Sequence, residues 1–164
     1  TTSAGRLFDA VAALLGLRSR VSYEGQAAIE LEAAAASVAV EDAPVYELDV
    51  PGAGTGGEPA VLDPSCLVAR VVTERGRGTP VAQIAAGFHA SLGRAVAETA
   101  CRLAEAAGLR TVALSGGVFQ NARLTRAVVD HVSSAGLEVL VHRRIPPNDG
   151  GISFGQAAIA AASG

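Results

Sequence analysis

Two stretches of this 164-residue sequence combine glycine, amide and carboxylate groups in a spacing that could handle a phosphate. They are Ser115-Gly116-Gly117-Val118-Phe119-Gln120-Asn121 and Pro146-Pro147-Asn148-Asp149-Gly150-Gly151. Paired glycines let backbone N–H groups approach an anion closely. A helix starting just after them adds the partial positive charge of its unpaired amides. Asp149 stands between two prolines and two glycines, which suits an aimed carboxylate. At a phosphate site such a group holds a divalent cation. Each residue also has a plainer reading: Gly116-Gly117 as a tight turn, Asn121 as the N-cap of the following helix, Asp149 as a cap of the last one. Spacing alone leaves both readings open.

The elements that must position these loops follow from periodicity. Thr111–Ser115 and Leu137–His142 read as short apolar strands, with Ala122–Ala135 as the helix between them and Gly151–Ala162 as a final helix. The strings Ala107-Gly108-Leu109 and Ala135-Gly136-Leu137 each mark a helix-to-strand joint, so the unit occurs twice. Strand, crossover helix, strand implies parallel neighbours joined right-handedly, with ligands collecting beyond the strands' carboxyl ends. Upstream, Thr79-Pro80 opens a long helix to Ala107 with a stripe through Val81, Ile84, Phe88, Leu92, Val96, Ala100 and Leu103. Asp63-Pro64 opens a shorter one to Gly76. Helices over Gly5–Leu17 (stripe Leu7, Val11, Leu14, Leu15) and Gly25–Val40 begin the chain. Val45–Val50 reads as a strand, joined through the glycine-rich Pro51–Pro59 to a partner at Ala60–Leu62.

Composition narrows the chemistry. With 49% hydrophobic and 18% charged residues the chain is globular, and all 13 of its Lys-plus-Arg positions are arginine. The absence of lysine removes a Walker-type loop and Schiff-base catalysis. A net charge of −3 gives no basic nucleic-acid surface. No apolar run reaches the ~18 residues of a membrane span. Cys66 and Cys101, both in predicted helices, read as reduced core residues of a cytoplasmic protein. His89, His131 and His142 lack metal-ligand spacing and read as structural or solvent-facing; Glu30, Glu32, Glu41 and Asp42 read as a solvated face. Ser115 lacks the glycine two positions before it that a nucleophile elbow needs. With no initiator Met, the chain reads as an excised piece of something longer.

Four motifs occur in order: Gly5-Arg6-Leu7-Phe8-Asp9-Ala10-Val11-Ala12, Val21-Ser22-Tyr23-Glu24-Gly25-Gln26-Ala27-Ala28, Ser115 to Asn121, and Pro147-Asn148-Asp149-Gly150-Gly151-Ile152-Ser153. Together they resemble the C-terminal part of the hydrogenase maturation carbamoyltransferases, the HypF family, over nearly the whole chain. The fold the resemblance implies is α/β: the C-terminal lobe of an actin-like ATPase (ribonuclease H-like) module, with parallel strands at the C-terminal end and a helical N-terminal segment. Residues 1–43 would be the helical segment and 44–164 the nucleotide-binding lobe, the upstream acylphosphatase-like, zinc-finger and YrdC-like modules being absent.

The activity it implies is ATP-dependent. Carbamoyl phosphate and ATP give carbamoyl adenylate, and the carbamoyl group passes to the C-terminal cysteine thiol of a HypE-type partner, towards the cyanide ligands of nickel–iron hydrogenase. By the same resemblance Asp9 would bind the ribose hydroxyls, with Gly25 and Gln26 near them. Gly116, Gly117 and Asn121 would line the phosphates and base, and Asp149 would ligate a divalent metal (Fe, Zn or Mg). The family's other metal ligands, two histidines four apart, have no counterpart here, so the chain alone is expected to be inactive and to leave apolar surface bare. Nothing resembles a covalent nucleophile, so transfer would be direct. The alternatives are an O-carbamoyltransferase or tRNA threonylcarbamoyl transferase of the same fold, and a non-catalytic nucleotide-binding module; the mild acidity argues against tRNA.

Overall fold

The structure, a computed structural model, describes residues 3–52 and 59–163. Six helices and two strands follow in the order α1 (Ala4–Leu14), α2 (Gln26–Ala35), α3 (Ser65–Gly76), α4 (Val81–Ala106), β1 (Thr111–Leu114), α5 (Ala122–Ser134), β2 (Glu138–Val141) and α6 (Ile152–Ser163). Short 3-10 turns, Gly117–Gln120 and Asp149–Gly151, precede α5 and α6. This is the α/β arrangement expected, with a helical N-terminal segment and parallel strands at the C-terminal end.

α4 organises the molecule. Half of its 26 residues are buried; from Ile84 to Gly93 all but Ala90 are, so that part lies inside the core, while Arg94, Arg102 and Glu105 keep one face of the rest in solvent. Phe8, Val11 and Leu15 of the first segment, Leu31 of α2, Leu67 and Val71 of α3, and Ile84 and Phe88 of α4 form one cluster that also takes in Leu124. The predicted stripe of α1 needs one correction: Leu14 is exposed while Leu15 is buried. The helix closes there, with Leu17 N–H donating to the Ala12 carbonyl across Gly16. α2 stops at Ala35 rather than Val40 because Arg123 takes the carbonyls of Ala35 and Val38 at 3.0 and 2.9 Å.

The strand expected at Val45–Val50 does not form. The chain there pairs only through an antiparallel bridge, Asp49 with Asp63. Tyr46 is the reason: it is buried, its N–H donates to Ser91 Oγ at 2.7 Å, and its ring fills space over Gly87 where any side chain on α4 would collide. The backbone is thereby tied to a helix instead of a sheet. Of the linking turn, residues 53–58 lie outside the described residues. Cys66 also departs from expectation. It is exposed, its thiol donating to Asp49 Oδ2 at 3.0 Å, while Cys101 is half-buried.

β1 and β2 are parallel in the register Thr111↔Glu138 to Leu114↔Val141. Both helix-to-strand joints turn on glycines of positive φ, Gly108 and Gly136, as the repeated Ala-Gly-Leu strings predict. Val112, Leu114, Val139 and Val141 face a second cluster built on Ala97, Val128 and Val132. Leu140 on the opposite face is exposed, as are Ile152, Phe154 and Ile159 of α6. Bare apolar surface is therefore present, on α6 and also on the N-terminal segment, where Val21, Tyr23 and Ile29 are exposed.

Candidate functional site

The two glycine loops leave the carboxyl ends of the parallel strands and meet. Gly116 N–H donates to the Pro147 carbonyl at 2.8 Å, and Ser115 Oγ lies 3.1 Å from His142 Nε2. Gly116 has φ 103° and ψ 153°, a conformation that any Cβ would strain. That is why glycine stands where the chain turns out of β1. Gly117 begins the 3-10 turn, beside Asn148 of the other loop. The structure therefore brings Gly116, Gly117 and the Asn148–Asp149 segment into one mouth.

Asn121 is buried at the end of the same loop. Its Oδ1 accepts from Leu124 N–H at 2.8 Å, which makes it the N-cap of α5, and its Nδ2 donates to His89 Nε2 at 3.0 Å. The capping reading is thus realised. α5 differs from the sequence expectation in one respect. Its first turn is not open to an anion, because the Arg123 N–H donates to Glu32 Oε1 at 2.8 Å. Glu32 is a half-buried cap rather than part of a solvated face. Glu30 likewise sits in a bidentate pair with Arg18, at 2.6–3.0 Å, which holds its carboxyl below the usual range. The N–H groups remaining at the mouth are those of Gly117 and Val118, which open the 3-10 turn and have no helical acceptor.

The N-terminal candidates lie on the helices packed beside this mouth. Asp9 is half-buried on α1 and pairs with Arg6 at 3.2 Å. α1 packs against the Gly117–Gln120 turn, and Val118 joins the cluster that contains Phe8 and Val11. Gly25, at φ 80°, and Gln26 start α2. The Gln26 side chain is engaged locally, accepting from Ser22 N–H at 2.7 Å and donating to Glu30 at 3.2 Å. Gly25 lies about 10 Å along the helix axis from Glu32.

Asp149 is exposed at the start of its 3-10 turn. Among the described residues no group of three His, Cys, Asp or Glu side chains is placed to hold a metal ion. One carboxylate does not fit a divalent site, which takes several ligands.

His89 is structural, as its sequence reading allowed, but sequence reasoning missed its partner and those of Glu32 and Arg123. His89 carries a faint signal, one step from Phe88 on a buried helix, where an imidazole must find a hydrogen-bond partner. The partners of Glu32 and Arg123 lie more than 80 residues away in sequence, and no local pattern announces them.

The site is thus a parallel strand pair with converging glycine loops, laid on a long central helix. The family described as "Carbamoyltransferase, Kae1-like Domain, second subdomain" matches residues 1–156. The chain belongs to the HypF carbamoyltransferase family. It is 42% identical over 163 residues to carbamoyltransferase HypF of Rhodobacter capsulatus, covering 99% of this chain and 20% of that protein. More distantly, it is 35% identical over 148 residues to the tRNA N6-adenosine threonylcarbamoyltransferase of Synechococcus sp. (strain JA-3-3Ab), covering 89% and 37%. A crystal structure of full-length HypF in a phosphate- and nucleotide-bound form superposes with a TM-score of 0.85 at 38% identity. That match covers 96% of this chain and 20% of the other. The chain thus spans about one fifth of the length of such HypF relatives. No helix among the described residues is long and apolar enough to cross a membrane.

Proposed function

We propose that this chain forms the nucleotide-facing part of a cytoplasmic, ATP-dependent carbamoyltransferase. The enzyme passes the carbamoyl group of carbamoyl adenylate, made from carbamoyl phosphate and ATP, to the C-terminal cysteine thiol of a HypE-type partner in hydrogenase maturation. The observation that carries this reading is the Gly116–Pro147 hydrogen bond, which joins both glycine loops at the carboxyl ends of β1 and β2. The nucleotide-bound state of the similar full-length HypF supports it.

The chain's own residues supply binding and charge stabilisation. Gly117 and Val118 N–H groups face the leaving phosphate and meet the negative charge that grows on it as the carbamoyl C–O bond breaks. Asp9 accepts from the ribose hydroxyls, with Gly25 and Gln26 beside it. Asn121 holds the far end of the loop. Asp149 lies at the same mouth, exposed at the start of its 3-10 turn. The acceptor thiolate attacks the carbamoyl carbon directly, its proton having gone to solvent or to the partner.

A calorimetric titration of this chain with ATP and Mg²⁺, beside Asp9→Ala and Asn121→Ala, tests the pocket. Saturable binding that both substitutions weaken is the expected result; no binding by the unaltered chain removes the pocket from these residues. Carbamoyl transfer by a protein of the relatives' length to a cysteine-ended partner peptide, against threonylcarbamoyl transfer to tRNA, tests the substrate. The similarity to a tRNA-modifying enzyme makes the second acceptor the serious rival.

A further inference from the structure

His89 has a place in the site that its position in mid-helix conceals. It is fully buried, with its ring edge-on to Phe8 at 5.3 Å and to Phe88 at 5.7 Å between centroids. Its two nitrogens face different partners: Nδ1 lies 2.7 Å from the Ala85 carbonyl and Nε2 lies 3.0 Å from Asn121 Nδ2. The proton positions follow by elimination. The Ala85 carbonyl only accepts, so Nδ1 carries the hydrogen. The Asn121 Oδ1 is taken by the Leu124 N–H, so the group turned towards the histidine is the amide nitrogen, which donates. Nε2 must then be the bare acceptor. Only this tautomer satisfies the run of hydrogen bonds from the Ala85 carbonyl through His89 and Asn121 to the Leu124 N–H.

We propose that His89 is a positioning residue for the nucleotide loop. As the Nδ1–H tautomer it locks the carboxamide of Asn121, and through it sets the path of Gly116–Asn121 relative to α1 and Asp9. The loop is tied to Asn121 by its own bonds. Asn121 N–H donates to the Val118 carbonyl at 3.1 Å, and Thr125 Oγ1 donates to the Phe119 carbonyl at 2.9 Å. The same imidazole touches Phe8, the neighbour of Asp9. One ring therefore touches both the anchor of the glycine loop and the helix that carries Asp9. Burial agrees with a neutral ring, pushing its pKa down to about 4, with the Arg123 guanidinium acting in the same direction. A histidine that merely fills space would tolerate leucine; one that locks an amide needs an acceptor on one side and a donor on the other. Glutamine offers that pair and leucine does not.

The inference rests on the nucleotide reading above, and its test separates the two. ADP with Mg²⁺ is titrated into the wild type, His89→Gln and His89→Leu, each at a temperature where circular dichroism shows it folded. The expected result is near-wild-type affinity for H89Q and affinity at least about tenfold weaker for H89L, as loss of one buried hydrogen bond implies. Equal affinity for all three overturns the proposal. Nitrogen-15 NMR of the wild-type ring needs no variant: an Nδ1–H tautomer is expected, and an Nε2–H tautomer overturns the lock. If the wild type binds no nucleotide, the nucleotide reading fails, and hydrogen exchange then decides the lock. Asn121 and Leu124 amides exchanging at least about tenfold faster in H89L, with α4 still protected, uphold it; unchanged exchange overturns it.

Discussion

The molecule carries its site on two unlike supports. The helical side, α1 to α4 with the start of α5, buries Phe8 and Phe88 edge to face at 5.0 Å and satisfies the polar atoms of His89 and Asn121 inside the core. The strand side, β1 and β2 with the loop to α6, rests on a two-stranded sheet and leaves Phe154 59% and Ile159 63% exposed. Two strands alone are marginal, so this side draws its order from α5 beneath it. Each half of the proposed pocket thus answers to different physics. Residues on the helical side are held by packing and fixed proton positions. Those on the strand side are held by turn geometry and a few backbone hydrogen bonds.

The two sides should differ most where one residue type stands on both. Phe8→Ala should cost about 3–5 kcal/mol in urea unfolding, because it empties a packed site. Phe154→Ala should stay within about 0.5 kcal/mol, because its ring already meets water. It should instead reduce the binding of an apolar dye. Similar costs for the two would mean that α6 is packed as firmly as α1.

A pH titration of stability is the next largest effect, and it belongs to the helical side alone. His89 is neutral when folded, with its pKa lowered by burial to about 4, but takes a proton near 6.5 once unfolded. Between those values the unfolded chain binds the extra proton, so stability falls as pH falls from about 6.5 to about 4, by about 3 kcal/mol in all. His89→Gln should remove that slope. A slope unchanged in the variant would assign it to other groups.

How much of this was legible in the sequence follows the same division. The strand side reads well because its signals are local: two Ala-Gly-Leu joints, apolar strands and glycine pairs at their ends. The long helix reads well because its 3.6-residue stripe is buried through Ile84, Phe88 and Leu92, although its last predicted member, Leu103, is exposed. What resists reading is whatever is fixed across the core. Asn121 finds His89 32 residues back, and Glu32 caps a helix 91 residues ahead. Tyr46, anchored on α4, dissolves a strand that local propensity favours. The sequence states the loops plainly and conceals what holds them.

Gly116 tests the strand side in its own terms. At φ 103° and ψ 153° an alanine is strained by about 1–3 kcal/mol. Gly116→Ala should therefore loosen the Gly116–Pro147 hydrogen bond and weaken nucleotide binding, while the exchange protection of α4 stays as it was. A uniform loss of protection across the chain would show that the two sides unfold as one unit.

The smallest effect compares two asparagines that cap in the same way. Asn121 Oδ1 accepts from Leu124 N–H at 2.8 Å and Asn148 Oδ1 from Gly150 N–H at 3.1 Å. The first is buried and starts a 13-residue helix; the second is exposed and starts a three-residue turn. Water can replace the lost acceptor at Asn148. At Asn121 it cannot, and removing the side chain also leaves His89 Nε2 without its donor. Asn121→Ala should thus cost about 1–2 kcal/mol and Asn148→Ala only a few tenths, measured by urea unfolding. Combining Asn121→Ala with His89→Leu should cost less than the two singles added, since each removes half of one hydrogen bond. Strict additivity would mean that the two side chains are neighbours without being partners.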